Sequence, residues 1–326
     1  MPTNQGETVD DMYDVVVIGG GAAGLSGALA LSRARRSVLV IDAGSPRNAP
    51  AEHMHNYLGR EGLPPAELLM GGREEVAAYG GEIMPGTAAS AERTADGTFR
   101  VVLTDGRTVL ARRLLVTTGL IDELPDVPGL AQRWGRDVLH CPYCHGWETR
   151  DKPIGVLATG PLAVHQALTW RQWTDRVTLL LADAIEPTDD EFNQLAARGI
   201  SVVDGAVAGL EVADDRLTGV RMQTSKVFPL EAVVVATTLV ARSQVLESLG
   251  LETTDQKMGG HVIGTAVATD ATGATAVPGV WAAGNVTDPK AQVIIAAAAG
   301  LNAAAAINTD LIGEDTRLAV EGVLSR

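Results

Sequence analysis

Four apolar residues, Val15 to Ile18 in number order, sit between a polar Asp14 and a run of glycine, a pattern that predicts a strand buried on both faces. The Ala- and Leu-rich stretch after Gly24 has helical composition, and residues 37–41 form a second apolar strand ending at Asp42. The alternation returns at residues 154–157, with a glycine-containing turn, a helix and a further strand at 177–181. It returns again at 279–286, where a strand closes on a polar corner before an Ala-rich helix from Ala291. Short apolar strands alternating with helices predict an α/β fold with parallel sheets. Two segments are expected to lack firm structure: the polar, acidic residues 1–12 and the polar tail at 313–326.

Composition narrows the function. With 46% hydrophobic and 20% charged residues in 326, the chain has the makeup of a soluble globular protein of two domains. A formal charge of -14 argues against nucleic acid or an anionic membrane as partner. Residues 1–12 have no apolar core of a secretory signal, and the apolar stretch 291–307 is interrupted by Gly300 and Asn302. A cytoplasmic protein is expected.

Residues 19–24, Gly-Gly-Gly-Ala-Ala-Gly, place GxGxxG between a strand and a helix, as a dinucleotide site requires. Gly19 permits the tight turn, Gly21 lets the backbone approach a pyrophosphate, and Gly24 lets the helix press on the strand. Asp42 is placed for ribose hydroxyls.

The chain has two cysteines, Cys141 and Cys144, separated by Pro142 and Tyr143. That spacing allows a disulfide to close and reopen, so the pair can accept two electrons and pass them on. Cys141 before Pro142 suits a helix N-cap, where the dipole favours a thiolate. Zinc is the structural alternative, but His140-Cys141 and Cys144-His145 converge poorly on one metal and no second CxxC exists, so no metal is expected.

The glycine fingerprint, Val116-Thr117-Thr118-Gly119, the central CxxC and the late Ala282-Ala283-Gly284-Asn285 follow the order found in low-molecular-weight thioredoxin reductases, which the chain resembles from residue 12 to about 310. The resemblance implies two Rossmann-like, three-layer ββα domains. An FAD-binding domain would comprise 12–118 and 246–326, and an inserted NAD(P)H-like domain, 119–245, would carry the CxxC. It implies FAD contacts at Ala22, Ala23, Ala43, Arg47, Asn48, Thr118, Gly119, Gly284, Asn285, Ala291, Gln292 and Val293. By the same carry-over Cys141 is the interchange sulfur, Cys144 the flavin-facing one, and the protein a homodimer. Asn285 stands where the family usually has an acid. In the inserted domain, Ala158 replaces the first glycine of the nucleotide turn, and residues 182–186 supply Asp183 and Glu186 where a 2'-phosphate needs arginines. NADPH is disfavoured; NADH and loss of nicotinamide binding both stay open.

His145, Gly146 and Glu148 after the second cysteine make the motif CxxCHGxE, similar to the thioredoxin-reductase-like dithiol oxidases of the gliotoxin and holomycin type. An imidazole there can take protons from substrate thiols near neutral pH, with Glu148 orienting it and stabilising its cation; capping or packing is the alternative role for His145. His53, His55, Asn56 and Arg47 fall in a loop that in the resembled family approaches flavin and substrate, or else is merely solvated. Trp170 and Trp173 read as packing. The reading is an FAD-dependent oxidase of a small-molecule dithiol, with oxygen as acceptor. The rivals are a thioredoxin reductase fed by NAD(P)H or ferredoxin, acting on a thioredoxin-like protein, and a nucleotide-binding regulator without turnover.

Overall fold

The computed structural model describes residues 12–325. The expectation that residues 1–11 carry no signal lies outside them. The first strand, Met12–Ile18, pairs in parallel with Val38–Asp42 on one side and Thr108–Val116 on the other. A central parallel strand is covered on both faces, which is why its last four residues are all apolar and buried. Glu82–Pro85 extends the sheet at one edge, and the hairpin Ala88–Arg93/Phe99–Leu103 extends it at the other. The strand Thr108–Val116 serves both directions. Its first half pairs antiparallel with Phe99–Leu103, and its second half pairs parallel with Val280–Ala282, which brings the late segment into the same sheet, one strand removed from the first.

Helix Ala22–Arg33 covers one face together with the C-terminal helix Val293–Leu324. The two helices approach until a Cβ on Gly300 would lie 1.9 Å from the Ala23 carbonyl oxygen, so position 300 admits only glycine at this crossing. The structure corrects two expectations here. The C-terminal helix runs on through Gly300 and Asn302, and it includes the tail beyond residue 313 that the sequence left doubtful. Its length and composition meet those of a membrane span, but its Gly300 side is packed. Arg112 contacts Asp14, Glu314 and Asp315, and Arg36 contacts Asp315 at 2.7 Å, an ion-pair network that ties the polar tail to the central strands of the sheet.

A second, fully parallel sheet has the strand order Ser201–Val203, Val177–Leu180, Ile154–Leu157, Ala232–Val235, Val138–Leu139. Two apolar clusters cover its faces, with Trp170 fully buried in one. The chain passes between the two units twice, through Leu120–Glu123 and Thr238–Ala241, which pair antiparallel and join Thr253–Met258 and His261–Val267 in a four-stranded sheet. Cys141 follows Val138–Leu139 closely, so an edge strand of the second sheet delivers the CxxC to the gap between the units.

Candidate active site

The turn after the first strand is built around its glycines. Gly19 has φ +110, and a Cβ there would meet the Thr117 carbonyl oxygen at 2.4 Å; a Cβ on Gly24 would lie 1.9 Å from the Gly19 oxygen. The helix therefore sits directly on the turn, with Gly21 as its N-cap. At Gly21 an added Cβ would meet no protein atom within 4 Å, so this backbone faces open space, as a pyrophosphate cradle requires. Asp42 accepts from the Gly20 amide at 3.2 Å and from Arg73 at 2.8 Å. Arg73 escaped the sequence reading because it lies on a separate helix, Pro65–Ala78, in no motif.

Around the far end of this cradle, Arg47 makes a bidentate pair with Asp122, at 2.6 and 2.7 Å, and Asp122 also accepts from Thr237 at 3.0 Å. Both acid and hydroxyl come from the crossing segments, so the arginine is pinned to the junction of the two units. Asn285 accepts from Arg47 at 3.4 Å while its amide nitrogen donates to the carbonyls of Asp288 and Ala291 at 3.0 and 2.9 Å. A carboxylate cannot donate, so asparagine here fastens the corner that leads into the C-terminal helix.

One cavity of about 1280 Å³ runs from Gly19 and Asp42 to the cysteines. Of the residues singled out from sequence, Gly21, Ala22, Ala23, Ala43, Arg47, Asn48, Thr118, Gly119, Gly284, Asn285, Ala291, Gln292, Val293, Cys141, Cys144 and His145 all line it; Gly24 and Glu148 do not. The glycine turn, the open backbone at Gly21 and the length of this cavity fit FAD.

The short helix Pro142–His145 has Cys141 as N-cap and Pro142 at its first position. Both sulfurs are free thiols, half-buried. The Cys144 thiol and the amides of Tyr143 and Cys144 point at Cys141, which lowers the Cys141 pKa to about 7, whereas the neighbouring Cys141 sulfur and burial push Cys144 up. Of the two sulfurs, Cys141 is the one whose thiolate form is favoured. Gln292, the N-cap of the C-terminal helix, places its amide nitrogen 4.0 Å from Cys144 Sγ. Gln292 also helps to lower the Cys141 pKa, so one amide of the nucleotide-binding unit serves both sulfurs.

The His145 amide donates to the Cys141 carbonyl at 3.2 Å, which sets residue 145 one turn beyond Cys141. Burial lowers the His145 pKa, the Glu148 charge opposing it, so the ring is neutral and able to accept a proton at neutral pH. Glu148 differs from expectation: its carboxylate lies 3.4 Å from His55 Nε2, and among the described residues no hydrogen bond joins it to His145. The loop left open by the sequence is docked, not free. Asn56 donates to the Tyr143 carbonyl at 2.6 Å, and Glu61 holds both His55 Nδ1 and the Asn56 amide. The His-rich string at 53–55 was the available signal. Trp173 packs edge-on to Tyr143, and its indole nitrogen lies where a Cβ on Gly146 would clash at 2.7 Å, which accounts for the glycine of the motif. No group of metal-ligating side chains occurs among the described residues.

In the nucleotide turn of the second unit, an added Cβ on Gly160 would meet no protein atom within 4 Å, as at Gly21. Ala158 is buried, Thr159 donates to the Ala236 carbonyl at 3.1 Å, and residues 177–197 contain no lysine or arginine.

Comparison with known proteins agrees with this architecture. The chain is similar to HlmI, whose crystal structure superposes with a TM-score of 0.90 at 46% identity over 98% of both chains. It is similar to an oxidoreductase from Agrobacterium tumefaciens, with a TM-score of 0.85 and 33% identity over 93% of this chain and 99% of that one. Thioredoxin reductase sirT of Leptosphaeria maculans is 31% identical over 324 residues, covering 94% of this chain and 97% of that protein. Residues 13–300 match the pyridine nucleotide-disulphide oxidoreductase model, and the chain belongs to that family, as a thioredoxin-reductase-like flavoprotein enzyme acting on thiols or disulfides.

Proposed function

We propose that the protein oxidises a small-molecule dithiol to a disulfide through the Cys141–Cys144 pair, with FAD held by residues 12–118 and 246–326 and the CxxC on an inserted unit, 119–245. The observation that carries this reading is a site with a tuned thiolate and a neutral imidazole one turn away, beside a second nucleotide turn without the basic residues that a 2'-phosphate needs. The resemblance of CxxCHGxE to the dithiol oxidases supports it.

In the oxidised pair, a substrate thiolate attacks Cys141 Sγ and the Cys141–Cys144 bond breaks, leaving Cys144 as a thiolate. The second substrate thiol, deprotonated, attacks the mixed disulfide at the substrate sulfur; the product disulfide forms and Cys141 leaves as a thiolate. His145 accepts substrate protons, and Cys141, with its low pKa, is a good leaving group. FAD, when bound, supplies the two-electron acceptor that returns the pair to the disulfide, with oxygen taking the electrons last.

The second reading is a thioredoxin reductase, which the name of the Leptosphaeria relative favours. Anaerobic stopped-flow mixing of the flavoprotein with NADPH, NADH and a small dithiol in separate runs decides between them. Rapid bleaching by the dithiol and slow bleaching by NADPH is expected. Fast bleaching by NADPH overturns the oxidase reading.

A further inference from the structure

Gln292 stands at the head of the C-terminal helix, yet its side chain makes no capping hydrogen bond there. Serine, threonine, aspartate or asparagine at an N-cap bonds one of the helix's open amides. Gln292 reaches across the junction of the two units instead, and its carboxamide nitrogen lies 4.0 Å from Cys144 Sγ. Among the described residues no other side chain outside the pair donates a hydrogen bond to that sulfur. Arg47, whose charge also favours a Cys144 thiolate, has two of its nitrogens engaged by Asp122. The Gln292 amide contributes in addition to the lowered Cys141 pKa, so it serves both sulfurs from one position. A carboxamide carries two N–H donors and no charge, and it can bond a thiolate at either place without giving up a proton.

We infer that Gln292 is a catalytic residue of the exchange: its amide donates to the Cys144 thiolate that departs when a substrate thiolate attacks Cys141, and then to the Cys141 thiolate that departs in the second step. In the first step the new bond joins the substrate sulfur to Cys141 Sγ, and the electron pair of the broken Cys141–Cys144 bond goes to Cys144 Sγ. No proton moves to that sulfur. Burial of Cys144 disfavours its thiolate, and a thiol of raised pKa leaves slowly. A hydrogen bond to the charged form opposes that effect where the charge appears. In the second step the charge appears on Cys141, and the same amide is in place for it. Gln292 belongs to the unit of the glycine turn and the cysteines to the other, so the donor is supplied only while the two are docked. This rests on the dithiol-oxidase reading.

The test measures alkylation rate against pH in single-cysteine flavoproteins, where the midpoint reports the thiolate. Gln292→Met keeps the length of the side chain and removes the donor. In Cys141→Ser, adding Gln292→Met is expected to raise the Cys144 midpoint by about one pH unit, and in Cys144→Ser to raise the Cys141 midpoint comparably, with flavin content unchanged. With both cysteines present, Gln292→Met is expected to lower the limiting rate of anaerobic flavin reduction by dithiothreitol by about 10-fold, the half-saturating concentration changing little. Gln292→Glu, whose carboxylate suits a helix N-terminus but repels a thiolate, should lose more than Gln292→Met. A midpoint of either sulfur that does not move, or a Gln292→Met rate equal to the parent's, would overturn the inference. Flavin lost from Gln292→Met would also overturn it, by assigning the side chain to cofactor retention. A parent flavin that dithiothreitol does not bleach, with both midpoints moved, would instead sink the dithiol-oxidase reading and leave the donor in place.

Discussion

Gln292 and Cys144 meet across the junction of the two units, with the amide nitrogen 4.0 Å from the sulfur. Gln292 caps the C-terminal helix, whose Gly300 rests on the helix that covers the glycine turn. The contact joins the sulfur to the unit that carries the glycine turn. The same amide helps to hold the Cys141 pKa down, so it serves both sulfurs.

Flavin retention depends on the open backbone at Gly21. Gly21→Val is expected to yield colourless, folded protein, since its side chain would enter space reserved for the pyrophosphate and meet no protein atom. Absorbance at the flavin maximum after purification checks this; full occupancy in the variant would show that the cradle is misassigned.

The two sulfurs should respond differently to substitution. In Cys141→Ser, the neighbour that raises the Cys144 pKa is removed, so Cys144 is expected to ionise beside oxidised flavin and give a long-wavelength charge-transfer band. In Cys144→Ser the band should be absent and Cys141 open to alkylation. Both variants should be inactive. A band in the second variant and not the first would reverse the assigned roles.

Alkylation of the reduced parent at Cys141 should follow a titration centred at about pH 7, because only the thiolate reacts. The rate rises with pH through that value and levels off above it. A midpoint near the ordinary thiol value would remove the case for a tuned nucleophile.

His145→Ala is expected to lower dithiol turnover by about 10²- to 10⁴-fold at neutral pH, with FAD retained and part of the activity regained at high pH, where the substrate is already thiolate. In the parent, activity should fall as pH drops through the lowered His145 pKa, below the ordinary imidazole range, because the protonated ring cannot accept. Glu148→Gln removes the charge that raises that pKa, so the acid limb moves to lower pH. Turnover of His145→Ala equal to the parent's at neutral pH would reduce the residue to packing.

The helix crossing at Gly300 should tolerate no side chain. Gly300→Ala is expected to cost about 1–3 kcal/mol, seen as a lower Tm, since its Cβ meets backbone that cannot rotate away. An unchanged Tm would mean that the two helices part easily.

Much of the site was legible because its features are local. A strand running into Gly19, Gly21 and Gly24 specifies its turn through backbone sterics within a few residues, and a Cys-Pro step specifies an N-cap, so the cradle and the reactive pair could be read without a partner in view. The tail beyond residue 313 was not legible. A mostly exposed helix carries a weak apolar period, and what holds this one is Arg36 and Arg112, far away along the chain. The same limit hid the partners of Arg47, Asp42 and Glu148. A single polar side chain carries no sign of which distant group it will meet: Arg73 reaches Asp42 only once the first unit has folded, and Asp122 and His55 reach Arg47 and Glu148 only once the two units have docked.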